Sequence, residues 1–408
     1  MRLIHTSDWH LGRSLHEVDL LEHQAAYLDH LVGLTREVRP GAVLVSGDVY
    51  DRAVPPVEAI RLLESSLTRL AELSQVIVIS GNHDSATRLG FGSALMRPEI
   101  RLITLLDQVG QAVEVPDPDG GPGVLVYPVP FLDVYAAAEH FSTEDRRVAR
   151  SHEAVMAEAL SRVRRDLAAR GLDQAKRGDR TASGKRVGPS GETATTTVEM
   201  AHAFVVGGEA SESERDLSVG GIETVPAGVF EGIDYVALGH LHGPQRIAAG
   251  APRLIRYSGS PLAFSFSEAN HAKSTAVVTL GGVETAVELV PAPVPRPMSQ
   301  VEGLLADLES SRFDQYREHW LRVTVTDPSR PEDMTQRVNR RFPHALVTRH
   351  LPEGLALEAS TGFVTAASDP RQVVAEFIRY VGGAPASPDE LREVASALEA
   401  IGRTGEAS

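Results

Sequence analysis

Cysteine is absent from all 408 residues, which excludes disulfides, thiolate metal sites and cysteine nucleophiles. Any metal must then sit on His, Asp, Glu or Asn. Lysine is nearly absent as well: Lys176, Lys185 and Lys273 are the only three, so arginine carries almost all of the positive charge. Arginine suits bidentate phosphate contacts, although a genome-wide compositional bias explains the skew equally well. No stretch approaches the ~18 to 20 apolar residues that span a bilayer, and Met1-Arg2-Leu3-Ile4-His5-Thr6-Ser7-Asp8 has no apolar signal core. The expectation is a cytoplasmic protein with no membrane partner.

Positive charge is also in deficit, with Lys and Arg at 40 against Asp and Glu at 55 and a net charge of −15. That balance argues against coating nucleic acid by electrostatics alone. A polyanionic substrate would need local help from bound divalent metal, an arginine-lined face or a basic partner. Hydrophobic residues at 42% and charged residues at 23% are ordinary globular values, so the chain can bury a sizeable core. Its length suggests two or three domains.

The apolar pattern is that of an α/β fold. Leu3-Ile4, Ala42 to Val45 and Val76 to Ile79 read as strands, and Val57, Ile60, Leu63, Leu67 and Leu70 repeat at helical spacing, giving β-α-β-α-β. Val155, Ala159, Val163 and Leu167 predict another helix, and strands are expected at Ala203 to Val206 and Tyr235 to Leu238. The span 171–198, polar and rich in Gly, Ser and Thr, reads as a flexible insertion within a first domain of 1–290. Alternating prolines make 291–298 a stiff linker. A helical segment near Val301 to Leu308, a strand at Leu321 to Thr326, a helix near Glu332 to Arg341 and a strand at Ala345 to Thr348 give a small α/β domain over 299–384. In 385–408, a helix follows the expected N-cap Ser387 and carries the apolar stripe Leu391, Val394, Ala395 and Leu398. That stripe suits either its own domain or a partner helix.

Chemistry-bearing residues cluster where predicted strands give way to loops. They are Asp8-Trp9-His10, Gly47-Asp48-Val49-Tyr50-Asp51, Gly81-Asn82-His83-Asp84, His202 at the opening of the fourth strand, and Gly239-His240-Leu241-His242. Singly each has a bland explanation, such as a glycine turn whose aspartates cap the next helix. Together, loops at the strand ends of one α/β sheet would bring Asp8, His10, Asp48, Asn82, His202, His240 and His242 to a common face. Seven oxygen and nitrogen donors exceed one tetrahedral ion and suit two divalent ions roughly 3.5 to 4 Å apart with a bridging carboxylate. Mixed imidazole and carboxylate donors favour manganese, iron or zinc over calcium.

In this order the motifs resemble those of the calcineurin-like metallophosphoesterase superfamily. More narrowly, His5 through Gly12, Gly47 through Arg52, Gly81 through Ser85, Gly239 through Gly243 and Tyr257-Ser258-Gly259-Ser260-Pro261 resemble the bacterial branch of the double-strand-break repair nucleases, over essentially the whole chain. The resemblance implies a metallophosphoesterase β-sandwich flanked by helices, with a smaller C-terminal α/β capping domain. It also implies a two-manganese DNA nuclease subunit, exonuclease on double strands and endonuclease on single strands, acting in repair and hairpin processing. One metal would take Asp8, His10 and His242, the other Asn82, His202 and His240, with Asp48 bridging. His83 would contact the scissile phosphate and assist the leaving oxygen, with Asp84 orienting its imidazole. Some relatives have histidine at the position of Asp51, so any strand-positioning role of that histidine does not transfer.

Energy coupling is expected from a partner. Gly178 through Gly184-Lys185-Arg186 has the wrong spacing for a phosphate loop and ends in Arg. The resemblance implies an SMC-like ATPase of the SbcC type that gates DNA, bound partly through the stripe Leu391 to Leu398, and a homodimer within a heterotetramer. The helix bearing Val57, Ile60 and Leu63 suits a sister subunit as readily as its own sheet. The alternatives are a metal-dependent phosphatase or cyclic-nucleotide phosphodiesterase on the same fold, and a non-catalytic scaffold that has lost its metals.

Overall fold

The computed structural model describes residues 1–172, 196–214, 224–248, 254–281, 285–352, 373–375, 387 and 390–395. Most of the insertion at 171–198, the Gly178 to Arg186 segment and Leu398 therefore lie outside the described residues. The chain divides into two compact units: Met1–Gln300 with Glu318–Leu321, and Val301–Arg317 with the described residues from Arg322 on.

Two six-stranded sheets build the first unit. One contains β1 (Arg2–Thr6), β4 (Ala42–Ser46), β5 (Gln75–Ile79), β6 (Ile100–Ile103), β13 (Ser274–Thr279) and β14 (Ala286–Pro291), ordered β14-β13-β1-β4-β5-β6. The other contains β7 (Val113–Val115), β8 (Val124–Val129), β9 (Thr196–His202), β10 (Tyr235–Gly239), β11 (Gln245–Ile247) and β12 (Leu254–Tyr257), ordered β11-β12-β10-β9-β8-β7. A two-stranded hairpin joins β2 (Ser14–Leu15) to β3 (Val18–Asp19). The inner strands of both sheets are parallel, whereas β13 and β14, and β7 and β11, add antiparallel edges.

Burial explains the strand sequences. Leu3, Leu44, Ile77 and Ile79 of the first sheet pack with Val126, Val198, Met200 and Tyr235 of the second to form the inter-sheet core. The opposite face of the first sheet packs on α1 (Leu21–Val38) and α2 (Val57–Ala71), and a single helical turn, α3 (Ala86–Leu89), follows β5. The opposite face of the second sheet packs on α4 (Val134–Phe141) and α5 (His152–Ala169). Strands covered on both faces read as continuous apolar runs, as in Ala42–Ser46 and Tyr235–Gly239. The layering is a β-sandwich flanked by helices. Within α1, Tyr27, Leu28, Leu31, Leu34 and Val38 are buried at helical spacing, and Arg39 closes the helix at φ 49° ahead of Pro40. Asp133 and Ser151 cap α4 and α5 by accepting backbone N–H bonds.

Strand β9 corrects the expectation for His202. The strand runs through Thr196–His202 rather than from Ala203, so His202 closes it. Thr196, Thr197 and Glu199 read as loop because they are polar, yet Thr197 and Glu199 are fully buried in the middle of the sheet.

A three-stranded sheet is ordered β15-β16-β17, from Met298–Gly303, Trp320–Val325 and Ala345–His350, and its residues Val301–Gly303, Arg322–Val325 and Ala345–His350 belong to the second unit. Val301, expected in a helix, lies in β15, and only Leu305–Leu308 (α6) is helical there. Helix α7 (Met334–Arg341) buries Met334 and Val338. Residues 390–395 are helical, and Ser387 and Glu390 form a reciprocal cap, Oγ accepting from Glu390 N and the carboxylate accepting from Ser387 N. Among the described residues no helix is long and apolar enough to cross a membrane.

Candidate metal centre

Every candidate residue sits at or just beyond the carboxyl end of a parallel strand: Asp8 and His10 after β1, Asp48 after β4, Asn82 and His83 after β5, His202 at the end of β9, and His240 and His242 after β10. They converge from both sheets, not from one sheet as the sequence suggested. Glycine permits the approach of these loops. A Cβ on Gly81 would overlap the Asp48 carboxylate, and one on Gly239 would overlap the Ser46 carbonyl oxygen.

Among the described residues three donor groups form, each with its ligand atoms within 4.8 Å of one another: Asp8, His10 and His242; Asp8, Asp48 and His202; and His10, Asp48 and His83. Asp48 is central. Its Oδ2 lies 3.6 Å from His10 Nε2, 3.5 Å from His202 Nε2 and 3.9 Å from His83 Nε2. Its Oδ1 accepts from the His83 backbone N–H at 2.9 Å. Asn82 Oδ1 lies 2.8 Å from His202 Nε2, and His202 Nδ1 faces the Ser46 carbonyl at 2.9 Å. The ring of His240 stacks edge-on to His202 with centroids 5.4 Å apart but enters none of the three donor groups. Its backbone N–H donates to the Asp8 carboxylate.

Asp8, His10, Asp48 and His240 adopt φ of 55°, 46°, 47° and 107°. A left-handed conformation at a non-glycine residue costs of order 1 kcal/mol or more, and here it marks four of the candidate ligands. The backbone is held in a disfavoured state that aims these side chains inward.

Electrostatics point the same way. Desolvation, and then the charge of Asp48, raises Asp8 well above the usual carboxylate range, and the same two causes bring Asp84 to about 7. Desolvation and then neighbouring imidazoles hold His10 and His240 well below the usual histidine range. Packed acids that resist ionisation beside imidazoles that resist protonation make a site whose missing charge is a cation.

The proton positions test that fit. His242 Nδ1 lies 2.7 Å from Ser213 Oγ and 3.4 Å from Glu268 Oε1. Ser213 donates to the Glu268 carboxylate, so its oxygen accepts, and both neighbours require the proton on Nδ1. Nε2 of His242 is then a lone pair, 3.1 Å from His10 Nε2. If His10 Nε2 donated to it, His10 Nδ1 would be deprotonated, buried, and 3.6 Å from Asp51 Oδ1. A cation taking both Nε2 lone pairs lets His10 Nδ1–H face Asp51. The donors fit a metal.

The side chains of His83 and Asp84 both contact backbone. The imidazole Nδ1 faces the Asp51 carbonyl at 2.8 Å, which turns Nε2 toward Asp48. Asp84 instead accepts the backbone N–H groups of Gly81, Val49 and Tyr50, tying the loop after β4 to that after β5. A carboxylate is the short acceptor that can take several N–H groups at once, so its contribution is to loop geometry.

The sequence profile of calcineurin-like phosphoesterases matches residues 1–244. The chain belongs to this family. Like other calcineurin-like phosphoesterases it is a metal-dependent phosphoester hydrolase of mixed α/β fold, and its His and Asp clusters can hold divalent ions. It is similar to a solved structure from Thermus thermophilus at 13% identity, covering 71% of this chain and 98% of that one, with a TM-score of 0.38. It is also similar to a dimetal phosphatase from Danio rerio at 13% identity, covering 72% and 99%, with a TM-score of 0.41. Asp51, within the Gly47 to Asp51 motif, is a partner of His10, whereas Ser213, Glu268 and Lys273 behind His242 carried no motif of their own. The signal available for Lys273 was the rarity of lysine, since this one is buried.

Proposed function

We propose that the chain is the nuclease subunit of an SbcD-type complex, hydrolysing DNA phosphodiesters with two manganese ions and gated by an SMC-like ATPase. The observation that carries this reading is the placement of Tyr257-Ser258-Gly259-Ser260-Pro261, a segment beyond the family match that resembles the repair nucleases. Ser258 Oγ lies 2.7 Å from Ser7 Oγ, which in turn donates to Asp8 at 2.5 Å. A Cβ on Gly259, at φ 77°, would come within 2.8 Å of the His242 carbonyl. The segment thus underlies the site instead of decorating its rim.

In this reading Asp8, His10 and His242 hold one ion, Asn82, His202 and His240 the other, and Asp48 lies between them. Such ions supply charge to the phosphoryl oxygens and acidify an attacking water. The chain's own residues do the rest. Asp51 and the loop geometry imposed by Asp84 hold His83 with Nε2 toward Asp48, beside the candidate ions, and a proton carried there passes to the leaving oxygen. The second unit caps DNA, and the 390–395 helix docks on the ATPase. Exposed Val57 and Ile60 on α2 face the sister subunit of a homodimer.

The test is hydrolysis by the purified chain with manganese, with linear duplex DNA and a small phosphomonoester in parallel. Degradation of DNA with little monoester turnover supports the reading. Monoester turnover with intact DNA, unchanged when the ATPase is added, replaces it with a phosphatase.

A further inference from the structure

Behind His242, on the side away from the candidate ions, lies a buried chain of polar groups that the reaction itself does not use. Glu268 is the last residue of the short turn Phe266–Glu268, and Lys273 leads into β13; their relative exposures are 0% and 5%, and they form a direct ion pair. Burying two charges is costly unless geometry and further hydrogen bonds compensate, so a pair placed here needs a reason. Lys273 Nζ also donates to the His242 carbonyl and to Ser260 Oγ, each at 2.9 Å. Glu268 Oε1 accepts from Phe264 N–H at 3.2 Å and from Ser213 Oγ, which lies 2.7 Å from His242 Nδ1. Both ends of the ion pair therefore converge on one residue, Lys273 on its backbone and Glu268 on its ring.

We propose that Glu268, anchored by Lys273, is a positioning residue that fixes the tautomer and aim of His242, directly and through Ser213, so that the Nε2 lone pair faces the metal site. The inference rests on the reading of Asp8, His10 and His242 as a metal site. It assigns a function to one of the chain's three lysines and to a carboxylate outside the three donor groups. Partners that fix the tautomer of a ligating histidine in this way are typically worth ~10 to 100-fold in metal affinity.

Glu268→Gln tests the tautomer directly. With Lys273 as a donor, the amide oxygen turns to the ammonium and the amide nitrogen to Ser213, so Ser213 donates to His242 Nδ1 and the proton moves to Nε2. In Glu268→Gln with Lys273→Met the amide is free to turn its oxygen back toward Ser213 and Phe264 N–H. Manganese binding by calorimetry on the intact chain, with the melting temperature of each protein, is the readout. The expected result is two manganese ions per wild-type chain, one site weakened ~10-fold or more in Glu268→Gln, and recovery in the double variant. Should Glu268→Gln not fold, Ser213→Ala is expected to weaken the same site and Ser213→Thr to restore it. Unchanged affinity, or an equal loss at both sites tracking a lower melting temperature with no recovery, overturns the proposal. A wild-type chain that binds no manganese instead defeats the reading of the site, and this inference with it.

Discussion

His10 and His242 present their Nε2 atoms to each other at 3.1 Å, one from the loop after β1 in the first sheet and one from the loop after β10 in the second. The site therefore depends on the sandwich closing correctly. Asp48 lies in two of the three donor groups and reaches three imidazoles.

Asp48→Ala removes the group common to those contacts. Phosphodiester hydrolysis is expected to fall at least ~100-fold while the far-ultraviolet spectrum stays unchanged, since Asp48 is not part of the apolar core. Residual activity within a few-fold of wild type would remove Asp48 from the centre. The assay is single-turnover hydrolysis with each variant at saturating manganese.

His83→Ala separates two roles, because His83 also falls in a donor group with His10 and Asp48. If it passes a proton to the leaving oxygen, rate falls by ~10² to 10⁴ and manganese stoichiometry is unchanged. A lost ion in this variant would make His83 a ligand instead.

Glu199 is a stability prediction. Both of its carboxyl oxygens are buried without a hydrogen-bond partner among the described residues, and burial raises it well above the carboxylate range. The folded chain then holds a proton that the unfolded chain has lost, so this group's contribution to stability declines as pH rises above its ordinary value of 4.5. Glu199→Met is expected to stabilise by about 1 to 3 kcal/mol near neutrality, with the gain shrinking toward acid. Urea denaturation at several pH values checks it; a gain independent of pH would contradict the cause.

Val57 and Ile60 are 55% and 43% exposed on α2, whose Leu63 and Leu67 are buried. If that exposed face joins sister subunits, Val57→Glu with Ile60→Glu gives a monomer in sedimentation velocity, and wild type a dimer. A monomeric wild type removes the homodimer.

Much of this was legible in the sequence because the strands around the site are covered on both faces and read as unbroken apolar runs, with the chemistry at their carboxyl ends. Val57 to Leu70 and Val155 to Leu167 announced their helices through spacing alone. Strand β9 was not legible: its threonines and Glu199 look solvated, and only the sheet partners on either side show otherwise. The supports of the candidate ligands were hidden for a related reason. Glu268 lies in no motif and reaches His242 over 26 residues, and Asp51, though within a motif, reaches His10 over 41, by tertiary contacts that leave no periodicity. Asp84 was legible from its place beside His83, whereas its bonds to the backbone N–H groups of Val49 and Tyr50 were not, because they cross to the separate loop after β4.

The most direct measurement is the electron paramagnetic resonance spectrum of the manganese-loaded chain, beside that of Asp48→Ala. On this account two ions per chain with an exchange-coupled signal are expected if Asp48 is shared between them, with loss of the coupling in the variant. One ion per chain, or two that are magnetically independent, would contradict it.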